Sequence, residues 1–276
     1  MIQIIRVLNN NSLLVIDKKT GQEKILLGKG IGFGKKKDQE LDQIGDAKEY
    51  ELKSNYNSMD IESQVNVIDP VYLEAAGQII EEAEVVFDHI NRDILVLLAE
   101  HIAFAAKREK ENIFIPNPFI SDIKAIFSKE YMVALNGREK VEQLSGYRMS
   151  EDEVGFIALH IHSGLVGERV SETLRNTQII DASVQIIAKK LKKNLQTESM
   201  TYSRLITHMY YLLERVRIEE PVKIELNEFI VKQYPEAWNI AGEVCDFISK
   251  QLEKQLDTEE RGFLAIYIER FRTYEE

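Results

Sequence analysis

Two groups of residues in this chain have the types and spacing to do chemistry. The first is histidine. There are five: His89, His101, His160, His162 and His208. An imidazole titrates near neutral pH and can act as a nucleophile, so it can accept a phosphoryl group. His101 and His160 lie 59 residues apart, and the same interval separates His208 from Tyr267. Spacing leaves two readings open: reactive histidines converging from two helices, or satisfied, partly buried histidines holding helices together. Metal ligation by His160 and His162 is the weaker idea. Side chains at i and i+2 diverge on a helix, and no carboxylate stands beside them in a known pattern. Cys245 is the only cysteine, which excludes an internal disulfide and a thiolate zinc cluster and fits a reducing cytoplasm.

The second group is Gly28-Lys29-Gly30-Ile31-Gly32-Phe33-Gly34-Lys35-Lys36-Lys37. No Gly-Lys-Ser/Thr closes it, so it is not a phosphate-binding P-loop. No third glycine at the right position and no following helix make it a dinucleotide fingerprint. What remains is backbone that a partner can approach closely, one aromatic ring and several lysines. That set suits an unpaired or bulged nucleic acid: a ring to stack, cations for phosphates, and the side chains of Asn9-Asn10-Asn11 for base edges. A glycine-rich β-turn with Phe33 in the core explains the spacing equally well.

These residues need elements to hold them. Residues 1–37 contain eight Lys/Arg and two acids, a net charge of +6, within a chain of −11. A basic head therefore precedes an acidic body, and only the head is suited to a polyanion. Ile2–Leu8, Leu13–Ile16 and Glu23–Leu27 read as strands separated by turn residues, with Tyr50–Leu52 a short fourth. So small a module is marginal alone and is expected to dimerise. From about residue 60 the pattern is helical: 72–90, 93–110, 152–163, 177–195, 203–217 and 237–252 carry apolar residues at three- and four-residue intervals. Pro116, Pro118, Pro221 and Pro235 fall between these segments. No window reaches 18 apolar residues, so no membrane insertion is expected, and no secretory signal is visible.

The body repeats itself at a constant offset of 107. Gln78-Ile79-Ile80 recurs as Gln185-Ile186-Ile187. Leu98-x-x-His101 recurs as Leu205-x-x-His208, and Arg108 matches Arg215. Glu153-x-Gly155-Phe156-x-Ala158 recurs as Glu260-x-Gly262-Phe263-x-Ala265. Two helical domains joined near Val166 to Thr177 follow from that register. His101 and His208 are equivalent positions, and His160 is equivalent to Tyr267.

Taken in order, Asn9-Asn10-Asn11, the Gly28–Lys36 stretch, His101-Ile102-Ala103-Phe104-Ala105 and Glu151–His162 resemble a BglG/LicT-type transcriptional antiterminator over essentially the whole chain. The Gly-Ile-Gly-Phe-Gly-Lys-Lys variant is most similar to the glucose-type members. The resemblance implies a small antiparallel β RNA-binding domain (1–58) followed by two all-α helical-bundle regulation domains (59–170 and 171–276). It implies RNA contacts from Arg6, Asn9, Asn11, Gly28, Lys29 and Phe33. It implies phosphorylation of His101, His160 and His208 by the sugar phosphotransferase system, with the phosphocarrier HPr and the EIIB domain of a sugar permease as partners. A cytoplasmic homodimer would grip an mRNA antiterminator hairpin and prevent terminator formation. No catalytic residue, metal or cofactor is implied. Two departures from the family pattern stand out. Glu100 replaces an Asp before His101, and Tyr267 replaces the second histidine of the second regulation domain. The competing classes are a histidine phosphocarrier, which needs no RNA-binding head, and a DNA-binding activator, which needs a helix-turn-helix where residues 1–58 show no helical period.

Overall fold

The computed structural model describes residues 1–52, 67–223 and 225–273. The expected boundary between the head and the first regulation domain, at 58–59, lies outside the described residues. The chain divides into two compact units, one of 1–117 with 129–168 and the other of 118–128 with 169–276.

The first unit begins with five antiparallel strands: β1 (Ile2–Asn9), β2 (Ser12–Asp17), β3 (Gln22–Leu27), β4 (Glu40–Leu41) and β5 (Lys48–Glu51). Their spatial order is β4-β1-β2-β3-β5. Alternation sends Ile4, Leu13, Val15, Leu26 and Leu41 into one small core. The opposite face carries the cross-strand set Leu14, Ile25 and Tyr50. One strand more is present than the sequence predicts. β4 is two residues long, too short to show a period of two.

Helices follow: α1 (Pro70–Phe87), a 3-10 turn at Arg92–Ile94, α2 (Leu95–Lys110), α4 (Ser128–Ser145) and α5 (Glu151–Val166). Asp69 caps α1 through Val71 N–H at 3.0 Å, with Pro70 in the first turn. α1 closes the far face of the sheet. A methyl group on Gly77 would lie 2.4 Å from Leu27 Cδ1 and force the Leu27 side chain to shift, and the Tyr50 hydroxyl donates to the Gly77 carbonyl at 3.5 Å. The head is thus packed on the first helical repeat, and its two faces are both buried.

The second unit contains α3 (Ile120–Ile126), α6 (Val170–Leu191), α7 (Met200–Ile218), α8 (Asn227–Gln233), α9 (Pro235–Leu252) and α10 (Thr258–Thr273). Its core holds Val184, Ile187, Leu205, Met209, Leu212, Val244, Ile248, Leu264 and Ile268. Ala125 and Ile126 of α3 pack against that core, and the Tyr202 hydroxyl donates to the buried Asp122 carboxylate. The expected junction at 166–177 holds the break between the two units, and within it 167–169 are the non-helical residues. Gly167 takes a left-handed conformation and ends α5, and Arg169 N–H donates to Glu172 at 3.1 Å to start α6.

Candidate functional site

In the head, the Asn9-Asn10-Asn11 turn and the glycine-rich loop are folded onto each other. Asn9 Oδ1 accepts from Asn11 N–H and from the Ser12 hydroxyl, both at 2.7 Å, so its carbonyl is committed to the turn. Gly28 N–H donates to Asn11 O at 2.9 Å and Gly32 N–H to Asn10 O at 3.0 Å. Gly30 N–H donates to Asn11 Oδ1 at 2.9 Å. A methyl group on Gly32 would lie 2.1 Å from the Asn9 carbonyl, which is why the loop needs glycine at that point. The result is a stiff platform. Phe33 stands out of it, 74% exposed, so its ring is not in the core. Arg6, Lys29, Lys36 and Lys37 are exposed as well. Asn11 has a second commitment: its amide donates to both carboxylate oxygens of Glu74 on α1, at 3.2 and 3.3 Å. Spacing alone gave no sign of that contact, since the two residues are 63 positions apart.

The histidines form two clusters at equivalent repeat positions. In the first, His101 on α2 and His160 on α5 meet edge to face, with ring centres 4.9 Å apart. Glu153, one turn into α5, is buried. It bridges His101 Nε2 at 2.8 Å and Arg108 at 2.7 Å. Burial alone would raise its pKa, but the bonds from His101 and Arg108 outweigh that and hold it below the usual range. His160 Nδ1 is buried with no partner among the described residues, and burial together with His101 pushes its pKa down to about 3. His162 is separate, bonded through Nδ1 to Glu130 at 2.9 Å. Among the described residues no three His, Cys, Asp or Glu side chains are grouped to hold a metal ion. His89 lies apart on the surface.

The second cluster uses the same residues differently. Glu260 gives both oxygens to Arg215, at 2.6 and 2.8 Å. His208 on α7 receives neither. Its ring lies flat on Tyr267 of α10, centres 4.0 Å apart, and its buried Nε2 has no partner among the described residues. Burial, then Arg215, pushes the His208 pKa down to about 3.

A small β platform with an exposed ring among cations, set before a duplicated pair of histidine-bearing helical repeats, has the parts of a nucleic-acid-binding regulator. The CAT RNA binding domain family matches residues 2–59, and the PRD domain family matches 77–164 and 181–271. The GlcA/glcB genes antiterminator of Staphylococcus carnosus is 32% identical, with 96% of this chain and 94% of that one covered. The PtsGHI operon antiterminator of Bacillus subtilis is 31% identical, covering 96% of this chain and 95% of that one. The beta-glucoside operon antiterminator of Dickeya chrysanthemi is 27% identical, covering 98% and 97%. A solved structure titled "Crystal structure of GlcT CAT-PRDI" superposes with a TM-score of 0.51 at 33% identity, over 59% of this chain and 98% of that one. The chain belongs to the BglG/LicT-type family of transcriptional antiterminators, on its glucose-type side: RNA-binding regulators under phosphotransferase control. The RNA-binding head disfavours both the phosphocarrier and the DNA-binding readings.

Proposed function

We propose that residues 1–58 form a dimeric head that grips an mRNA antiterminator hairpin, and that 59–170 and 171–276 are its two regulation domains. Arg6 and Lys29 neutralise phosphates, Phe33 stacks on an unpaired base, and Asn9 and Asn11, shaped by Gly28, face base edges. The observation that carries this reading is Phe33: a large aromatic ring held in solvent on a rigid basic platform. The chain does no catalysis of its own and works in the cytoplasm.

His101, His160 and His208 are the proposed phosphoryl acceptors from HPr and the permease EIIB domain. The bond from phosphorus to the donor's side chain breaks as a phosphorus–nitrogen bond to this imidazole forms. In the first domain that brings up to two negative charges beside Glu153, and the Glu153–Arg108 pair must rearrange around them. A coupling of about 1–3 kcal/mol to head pairing changes RNA binding about 5–150-fold, enough for a switch. Tyr267 leaves His208 as the only acceptor of its kind in the second domain.

The test is a gel shift of the full chain on a bulged hairpin, with and without the general phosphotransferase proteins and labelled phosphoenolpyruvate. The wild type should bind, and Phe33→Ala should weaken binding by about 1–3 kcal/mol. Label should enter His101 and His160 and lower RNA binding, and the double alanine variant should bind regardless. Unchanged affinity in Phe33→Ala, or label absent from both histidines, would overturn the corresponding half of the proposal.

A further inference from the structure

The second unit contains a cavity of about 650 Å³ whose lining includes His208, Arg204, Arg215, Lys223, Arg270 and Tyr267. Its volume suits a small molecule rather than a bare inorganic anion. Three features of the lining point to a ligand.

The first is charge. The chain as a whole is at −11, yet among the described residues no acidic side chain lines this cavity. Arg215 is neutralised by Glu260. Arg204, Lys223 and Arg270 have no carboxylate partner among the described residues, so the cavity presents three uncompensated cations. The second is His208. It is 7% exposed, it lines the cavity, and its buried Nε2 has no hydrogen-bond partner among the described residues. An orphaned buried nitrogen is costly, and a ligand oxygen would relieve it. The third is the repeat. At the offset of 107, Arg204, Lys223 and Arg270 correspond to Leu97, Pro116 and Ser163, and Thr207 corresponds to Glu100. The positive lining therefore belongs to the second domain alone and is not inherited with the fold.

We propose that this cavity is a non-covalent binding site for a small phosphate monoester. The dianionic phosphate is held by Arg204, Lys223, Arg270 and His208 Nε2, since guanidinium forks match phosphate oxygens in pairs. The organic part lies on the rings of Tyr211 and Phe263, which also line the cavity. The second regulation domain then reads a metabolite directly, whether or not His208 is ever phosphorylated.

The experiment is calorimetric titration of the full-length, unphosphorylated chain with three probes: a hexose 6-phosphate, the parent hexose and inorganic phosphate. No phosphotransferase protein is present, so covalent modification of His208 cannot contribute. Failure here leaves the phosphorylation proposal standing, and failure of that proposal leaves this one standing. Saturable heat is expected for the hexose phosphate, weaker binding for inorganic phosphate and none for the hexose. Arg204 and Arg270 are exposed, so the Arg204→Gln/Arg270→Gln double variant should fold and melt as the wild type does while losing about tenfold or more in affinity. No saturable heat with either phosphate, equal binding of the hexose and its phosphate, or unchanged affinity in the double variant would overturn the site. Inorganic phosphate binding as tightly as the ester would overturn the assignment of a monoester.

Discussion

The two histidine clusters are built from the same residues at the same repeat positions, and they are different sites. In the first domain Glu153 divides its carboxylate between His101 and Arg108. In the second Glu260 is consumed by Arg215, and His208 lies flat against Tyr267, its Nε2 without a partner among the described residues. The residue facing the conserved-position imidazole separates them. His160 meets His101 edge to face, which leaves the His101 edge turned to Glu153. Tyr267 offers a larger ring that stacks face to face, and the carboxylate closes on the guanidinium instead. A duplicated motif therefore fixes which side chains are neighbours, while one substitution decides which of them pair.

The largest test of that contrast is removal of each glutamate. Glu260 and Arg215 form a bidentate pair in which Glu260 is 3% exposed. Glu260→Ala strands a partly buried guanidinium and should cost about 3 kcal/mol, the low end for breaking a buried pair because Arg215 keeps some contact with water. Glu153→Ala removes one bond from Arg108 and one from His101, so about 1–2 kcal/mol is expected. Urea denaturation at pH 7.5 measures both. A larger loss in Glu153→Ala would reverse the ranking and dissolve the contrast.

Acid titration compares the two buried imidazoles themselves. Both His160 and His208 have pKa values pushed down to about 3 by burial, against an ordinary value near 6.5 when unfolded. Below pH 6.5 the unfolded chain takes up a proton that the fold cannot hold, so stability is intact above that pH and is lost as pH falls towards 3. Asp122 works the other way. Burial pushes its carboxyl up to about 6, so the fold holds a proton between about 4 and 6 and gains stability as pH falls through that range. Comparing each variant with the wild type cancels the Asp122 contribution. His208→Gln should lessen the loss between pH 7.5 and 5 by at most about 2 kcal/mol. His160→Gln should lessen it by a similar amount, since burial lowers both imidazoles alike. Clearly unequal slopes in the two variants would show that the imidazoles differ in environment.

Much of this arrangement was legible in the sequence. The offset of 107 alone pairs His101 with His208, Arg108 with Arg215 and Glu153 with Glu260, because a duplication preserves register whatever the side chains do. The strands β1 to β3 announced themselves through branched residues and turn signals. The helix α4 did not. Its buried residues include the small Ala134 and Gly137, packed so closely that a methyl group on Gly137 would lie 2.7 Å from Ile79 Cγ1, and small residues leave a faint apolar stripe. Whether Phe33 was core or surface could not be read from spacing, since both need the same glycines. The choice of Glu260 for Arg215 was equally hidden, because it depends on ring orientation.

The smallest effect concerns how the first domain reaches the head. Glu74 on α1 accepts from the Asn11 amide, tying a proposed RNA contact to the helical repeat. RNA and Glu74 compete for the same amide, so Glu74→Ala should raise RNA affinity by about threefold to tenfold, the value of one or two partly exposed hydrogen bonds. The repeat supplies the control. Position 74 corresponds to 181, where Asp181 bonds Gln185 at 3.3 Å within α6. Asp181→Ala should raise RNA affinity only slightly, although it removes the same charge from the equivalent helix position. That pairing separates a specific contact from simple electrostatics, since loss of any acid from a chain at −11 favours a polyanion slightly. Equal gains in the two variants would assign the effect to net charge and leave the Asn11–Glu74 bond without a regulatory role. A gain confined to Glu74→Ala would mean that the first domain restrains the head through one hydrogen-bonded side chain.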